Sequence, residues 1–119
     1  MHILDARKGQ ATVKCVDIPF GGQMYFCFVS AYAFPVGFVW GVGDSRRVFE
    51  VAGSYTEPWA RRQGVRTRIN EAIMRDYLVV RTNYGSDEGG AQFMRKQGYK
   101  FSRILRCWYL TRAKKRKSR

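Results

Sequence analysis

From Ile18 to Gly43 the chain carries no charged residue, and from Met24 to Gly43 it is mostly apolar. A run of that length either crosses a bilayer as one helix or is cut into strands buried in a core. Its content decides between them. Pro35, Gly37, Gly41 and Gly43 interrupt a helix, and the apolar residues are aromatic and β-branched rather than Leu and Ala. Tyr25, Cys27 and Val29 alternate with Phe26, Phe28 and Ser30, the period of a strand with two faces. Two neighbouring core strands are therefore expected, Gln23 to Ser30 and Val36 to Val42, joined as an antiparallel hairpin through Ala31 to Pro35. No membrane span is expected.

The remaining elements follow from turn residues and periodicity. A first strand is expected from Thr12 to Ile18, ended by Pro19 and the Gly21-Gly22 turn. After the Gly43-Asp44-Ser45 turn comes a strand from Arg47 to Ser54. Val65, Ile69, Ala72, Ile73 and Tyr77 then form one apolar stripe, which predicts an amphipathic helix to about Asp76, with Glu71 and Arg75 paired on its outer face. A strand from Tyr77 to Thr82 follows. A second helix starts at Ser86 or Asp87, is weakened by Gly89-Gly90, and stops at Gly98. Phe101 to Ile104 and Arg106 to Arg112 close the chain as strands. The order β-β-β-β-α-β-α-β-β is that of a mixed α/β (α+β) domain over residues 1–112.

With 45% apolar and 15% aromatic residues, the body has the material for one core. The formal charge is +13, and six cations fall between Arg112 and Arg119, leaving +7 on the rest. The tail 113–119 has almost nothing to bury and is expected to be disordered. It reads either as an arm for nucleic acid or an acidic partner, or as a solvated end. Cys15, Cys27 and Cys107 are widely spaced, and His2 is the one histidine, so no metal site is expected. Buried, inert thiols fit a reducing cytoplasm, and Met1-His2-Ile3-Leu4-Asp5 lacks the pattern of a signal peptide. Trp40 and Trp108 lie in strands and are expected in the core, whereas Trp59 falls in a loop.

That loop, Pro58-Trp59-Ala60-Arg61-Arg62-Gln63-Gly64-Val65-Arg66, joins a strand to a helix N-terminus. The first amides of a helix have no intrahelical acceptor, and the macrodipole makes that end partly positive. Arg61, Arg62 and Arg66 add charge, and Gly64 lets the backbone approach a phosphate closely. Amides from Arg62 to Thr67 could form the cradle. An isolated segment of this kind is equally an ordinary loop with solvated arginines.

The order of elements and this turn together resemble the GCN5-related N-acetyltransferase (GNAT) superfamily. Pro58, Arg61 and Gly64 fall in register with the family's turn, and Val65, Thr67 and Ile69 with its helix start. Ala91-Gln92-Phe93-Met94-Arg95-Lys96-Gln97-Gly98-Tyr99 resembles a second family motif, Cys107-Trp108-Tyr109-Leu110-Thr111-Arg112 its last strand, and Val36-Gly37-Phe38 its third strand. The resemblance spans about residues 23 to 112 and implies a short, N-terminally truncated member. It implies acetyl-CoA as co-substrate, held by Ser54, Tyr55, Thr56, Arg61, Arg62, Gln63, Gly64, Val65, Arg66 and Thr67. The pantetheine arm would insert between the strand ending near Thr56 and that beginning at Tyr77, with Gly53 as the splaying bulge. The acceptor would be an amine of a protein or small molecule.

Two positions depart from the family pattern. Arg66 stands where a small residue is usual, and Met94 where many members have the tyrosine that protonates the leaving thiolate. Glu50, placed by strand parity with Ala52 and Ser54, is the candidate base, with a surface pairing to Arg46 or Arg47 as its other reading. Tyr99 and Tyr84 are candidate acids. The competing readings are a non-catalytic protein of this fold, similar to small phage members acting on a host protein in the host cytoplasm, and a nucleic-acid binder working through the tail and Arg61 to Arg68.

Overall fold

The computed structural model describes residues 11–19, 21–30, 32–44, 47–82 and 88–111. The strands are β1 Ala11–Asp17, β2 Gln23–Val29, β3 Gly37–Asp44, β4 Val48–Thr56, β5 Val79–Thr82, β6 Lys100–Ser102 and β7 Cys107–Thr111. Between β4 and β5 lie a short 3-10 helix, Pro58–Ala60, and α1, Val65–Asp76. Helix α2, Glu88–Lys96, connects β5 to β6. The uncharged run thus becomes β2 and β3, and the element order is as expected. No helix of the described residues is long and apolar enough to cross a membrane.

Among the described residues all strands join one seven-stranded sheet in the order β1-β2-β3-β4-β5-β7-β6. Its pairs are antiparallel except β4 with β5, which the α1 crossover makes parallel. Between β1 and β2, Gly21 and Gly22 are at φ 111 and 99, and the Ile18 amide donates to the Gly22 carbonyl at 2.9 Å. The first strand is therefore present and paired, and no helix among the described residues separates it from the hairpin.

Strand alternation places Tyr25, Cys27, Val39, Phe49 and Val80 on one face, where they pack against Val65, Ile69, Ala72 and Ile73 of α1 and Met94 of α2. Tyr77, at the end of the expected stripe, is buried too, and its hydroxyl bonds Gln23. The opposite parity, Phe26, Phe28, Phe38 and Tyr55, forms a row of ring contacts 6.1 to 6.3 Å apart on the other face. Trp40 belongs to this second face and is 37% exposed, so the expectation of a core tryptophan is corrected, whereas Trp108 is buried. Cys15 is likewise exposed, at the β1 edge, while Cys27 and Cys107 are buried.

The register of β3 against β4 shifts between Trp40↔Gly53 and Gly41↔Val51, which leaves Ala52 as the extra residue. The bulge is thus at Ala52 rather than Gly53. It also breaks the assumed parity: Glu50 pairs with Val42 on the second face, bare of helices among the described residues, while Ser54 pairs with Val39 on the helix face. On α1, Glu71 meets Arg68 at 4.0 Å rather than Arg75.

Candidate functional site

Helix α1 starts at Gly64, at φ 84, with no side-chain cap and no acid in its first turn. Its earliest internal hydrogen bond at that end runs from the Arg68 amide to the Gly64 carbonyl, 2.9 Å. The amides of Val65, Arg66 and Thr67 therefore lack an intrahelical acceptor. Arg62, at φ 64, is also left-handed. Left-handed residues in a tight loop turn successive amides toward one side, the geometry of an anion nest.

A cavity of about 530 Å³ opens over this end of the helix. From the β4–α1 segment it is lined by Thr56, Arg61, Arg62, Gly64, Val65, Arg66 and Thr67, among others. Ser54, Tyr55 and Gln63 are not in its wall. Tyr55 points to the bare face of the sheet, where its hydroxyl donates to Glu57 at 2.9 Å, and that bond raises its pKa. Gln63 turns back to donate to the Trp59 carbonyl at 2.8 Å. The other wall is Gln92, Phe93 and Lys96 of α2, with Gln97 just past its end. Their spacing is one helix face, which the sequence displays, but nothing local says that this face turns toward Gly64. The two helices are tied by Thr67 donating to Gln97, 3.0 Å. A Schellman turn ends α2, with Gly98 at φ 92 and the Tyr99 amide bonded to the Met94 carbonyl at 3.0 Å.

The lining contains four cations and no carboxylate or histidine among the described residues. It suits an anion of nucleotide size. The candidate base is elsewhere: Glu50 is exposed and bonds Arg81 at 2.8 Å, a contact that raises the arginine's pKa. Tyr99 lies closer but is buried, and its hydroxyl donates to Asn70 Oδ1 at 3.1 Å. Tyr84, Asp87 and the tail lie outside the described residues. Trp59 is exposed and packs on Tyr32, 4.8 Å between ring centres, outside the cavity wall.

No family model matches the chain, and no curated protein matches it. Solved structures do. A GNAT family acetyltransferase from Elizabethkingia anophelis, with acetyl-CoA bound, superposes with a TM-score of 0.61 over 79% of this chain and 78% of its own, at 10% identity. The chain has the GNAT fold. An IAA acetyltransferase from Bacillus cereus gives 0.56 over 77% and 78% at 10% identity. Ard1 from Thermoplasma volcanium gives 0.53 over 80% and 72% at 18% identity. At such identities the likeness is one of backbone. Within this GNAT fold, Met94 is 2% exposed and packed in the core, so it presents no group to the cavity.

Proposed function

We propose that the chain binds acetyl-CoA at the α1 N-terminus and transfers its acetyl group to an amine. The observation that carries this is the cavity wall itself: Arg61, Arg62, Arg66 and Lys96 surround uncapped helix amides, with no acid among the described lining residues. That arrangement suits a diphosphate. The GNAT fold and the bound acetyl-CoA of the Elizabethkingia protein support the same reading.

In the transfer, the amine nitrogen attacks the thioester carbonyl, the new C–N bond forms, and the C–S bond of the tetrahedral intermediate breaks. The proton that the amine loses ends on the departing CoA sulfur. The cradle amides and arginines hold the diphosphate, and the end of β4 at Thr56, in the cavity wall, lies beside the arm. Glu50 is kept from the cavity by its parity and Tyr99 by its bond to Asn70, so neither acts from its present position.

Buried Met94 favours a second reading, in which the fold binds CoA or a protein partner without chemistry. Calorimetry with acetyl-CoA, followed by a thiol-release assay against a panel of amines, separates the two. Binding with release supports the transferase, binding without release supports the second reading, and no binding refutes the site.

A further inference from the structure

Strand β6 pairs with β7 from Lys100↔Tyr109 to Ser102↔Cys107, so Arg103-Ile104-Leu105-Arg106 makes the turn between them. Turns favour Gly, Asn, Asp and Ser, which accept left-handed backbone or bond nearby amides. None of these occupies the four turn positions. The left-handed conformation, φ 54, falls to Arg106, and the Leu105 amide finds its acceptor in Ser102 Oγ at 3.1 Å. Two aliphatic side chains stand at the apex: Ile104 is 93% exposed and Leu105 64%. Phe101, at the base of the hairpin, is 49% exposed although its ring meets that of Trp108 at 5.2 Å.

Cations frame these side chains. Lys100, Arg103 and Arg106 are all exposed. The same sign extends along the chain: Arg95 and Lys96 precede them, six cations follow from Arg112 to Arg119, and no Asp or Glu occurs from Gly89 to Arg119. A complementary partner is therefore anionic, and it must also take up aliphatic side chains. Single-stranded nucleic acid supplies phosphates, but its bases bind by stacking on rings, which Ile104 and Leu105 do not have. An anionic lipid surface supplies both. Its headgroup phosphates attract the cations, and the acyl boundary beneath them accepts the aliphatic groups.

We propose that the β6–β7 hairpin is a membrane-surface anchor: Ile104 and Leu105 enter the acyl boundary of an anionic bilayer while Lys100, Arg103 and Arg106 meet the headgroup phosphates. The contact is peripheral. Two aliphatic side chains make a small apolar payload, so binding is reversible and needs the apolar and the charged parts together. None of these residues lines the cavity, so the anchor does not depend on the acyl-CoA reading.

The test is co-sedimentation of the full chain with vesicles of phosphatidylcholine alone and of equal parts phosphatidylcholine and phosphatidylglycerol. Wild type is expected on the anionic vesicles and not on the neutral ones. Ile104→Ser combined with Leu105→Ser should weaken that binding at least about tenfold, with the tail intact. Arg103→Gln combined with Arg106→Gln should weaken it by a similar factor. Melting temperatures should stay at the wild-type value, because all four side chains are exposed. In Leu105→Trp, brominated phosphatidylcholine in the anionic vesicles should quench fluorescence beyond the loss seen in wild type, which separates insertion from adhesion. Anionic binding that survives the serine pair unchanged, with no added quenching in Leu105→Trp, overturns the anchor and leaves adhesion by charge alone. Failure of wild type to bind any vesicle overturns it as well, whether or not the chain holds a single-stranded oligonucleotide.

Discussion

Arg62 lines the cavity at a conformational cost to the fold. A side chain at φ 64 costs roughly 1–2 kcal/mol relative to a relaxed backbone, and glycine removes most of that. Arg62→Gly should therefore raise the melting temperature while weakening acetyl-CoA binding, opposite signs readable from one preparation. Replacing Arg61 and Arg62 together by Ala should lower that affinity at least about tenfold, equivalent to roughly 1.4 kcal/mol. Unchanged calorimetric affinity would refute the cradle. The cysteines give a second residue-level test. Native protein should react with a thiol reagent at Cys15, and that reaction should be lost in Cys15→Ser. The reaction should be slow, since desolvation and the carboxylates of Asp76 and Asp17 hold that thiol's pKa above its ordinary value. Cys27 and Cys107 should react only on unfolding. Arg61 and Gly64 were legible in the sequence because a turn and a helix start are local. The exposure of Cys15 was not, because it depends on β1 being a sheet edge.

Among the elements, β4 decides most. Its bulge at Ala52 reverses which side chains face the helices, placing Glu50 with Val42 on the second face and Ser54 with Val39 on the helix face. Sequence parity carries no mark of an extra residue, so one undetected bulge moved the candidate base to the wrong side. Gly41 sits directly across the shift, and a Cβ there would lie 2.0 Å from the Glu50 carbonyl oxygen. Gly41→Ala should therefore destabilise by about 1–3 kcal/mol or prevent folding, measured by urea denaturation. The same change at Gly21, where nothing lies within 4 Å, meets backbone strain but no collision. Helix α1 was readable throughout, since its stripe of Val65, Ile69, Ala72, Ile73 and Tyr77 is buried as its spacing requires. Ile69→Ala should cost about 2–5 kcal/mol.

At the scale of the whole molecule, charge and burial act together. Burial raises the Cys27 thiol to about 11 from 9.0, with Arg68 partly opposing. The unfolded chain then loses this proton first, so stability is full below pH 9 and falls as pH rises toward 11. Urea midpoints at pH 8 and 10.5 should therefore separate more in wild type than in Cys27→Ala. The net charge of +13 predicts weak, sequence-independent binding to single-stranded nucleic acid that fades as salt is added. Deleting residues 112–119 removes six of those charges and should flatten the dependence of log K on log salt by up to about four, at roughly 0.7 per neutralised phosphate. A slope unaffected by the deletion would remove any role for the tail.

By itself the sequence determined the element order, the strand identity of the uncharged run, the buried stripe of α1 and the position of the basic turn. Each of these is set by neighbours a few residues apart, through turn residues, periodicity and helix-end chemistry. Tertiary structure alone decided that Trp40 lies on a bare face, that Glu50 is turned from the cavity, that α2 supplies the second wall, and that Arg66 crosses to Ser54 and Tyr99. Those facts depend on strand register and on the docking of two helices far apart in the chain, and no local pattern of residues encodes either.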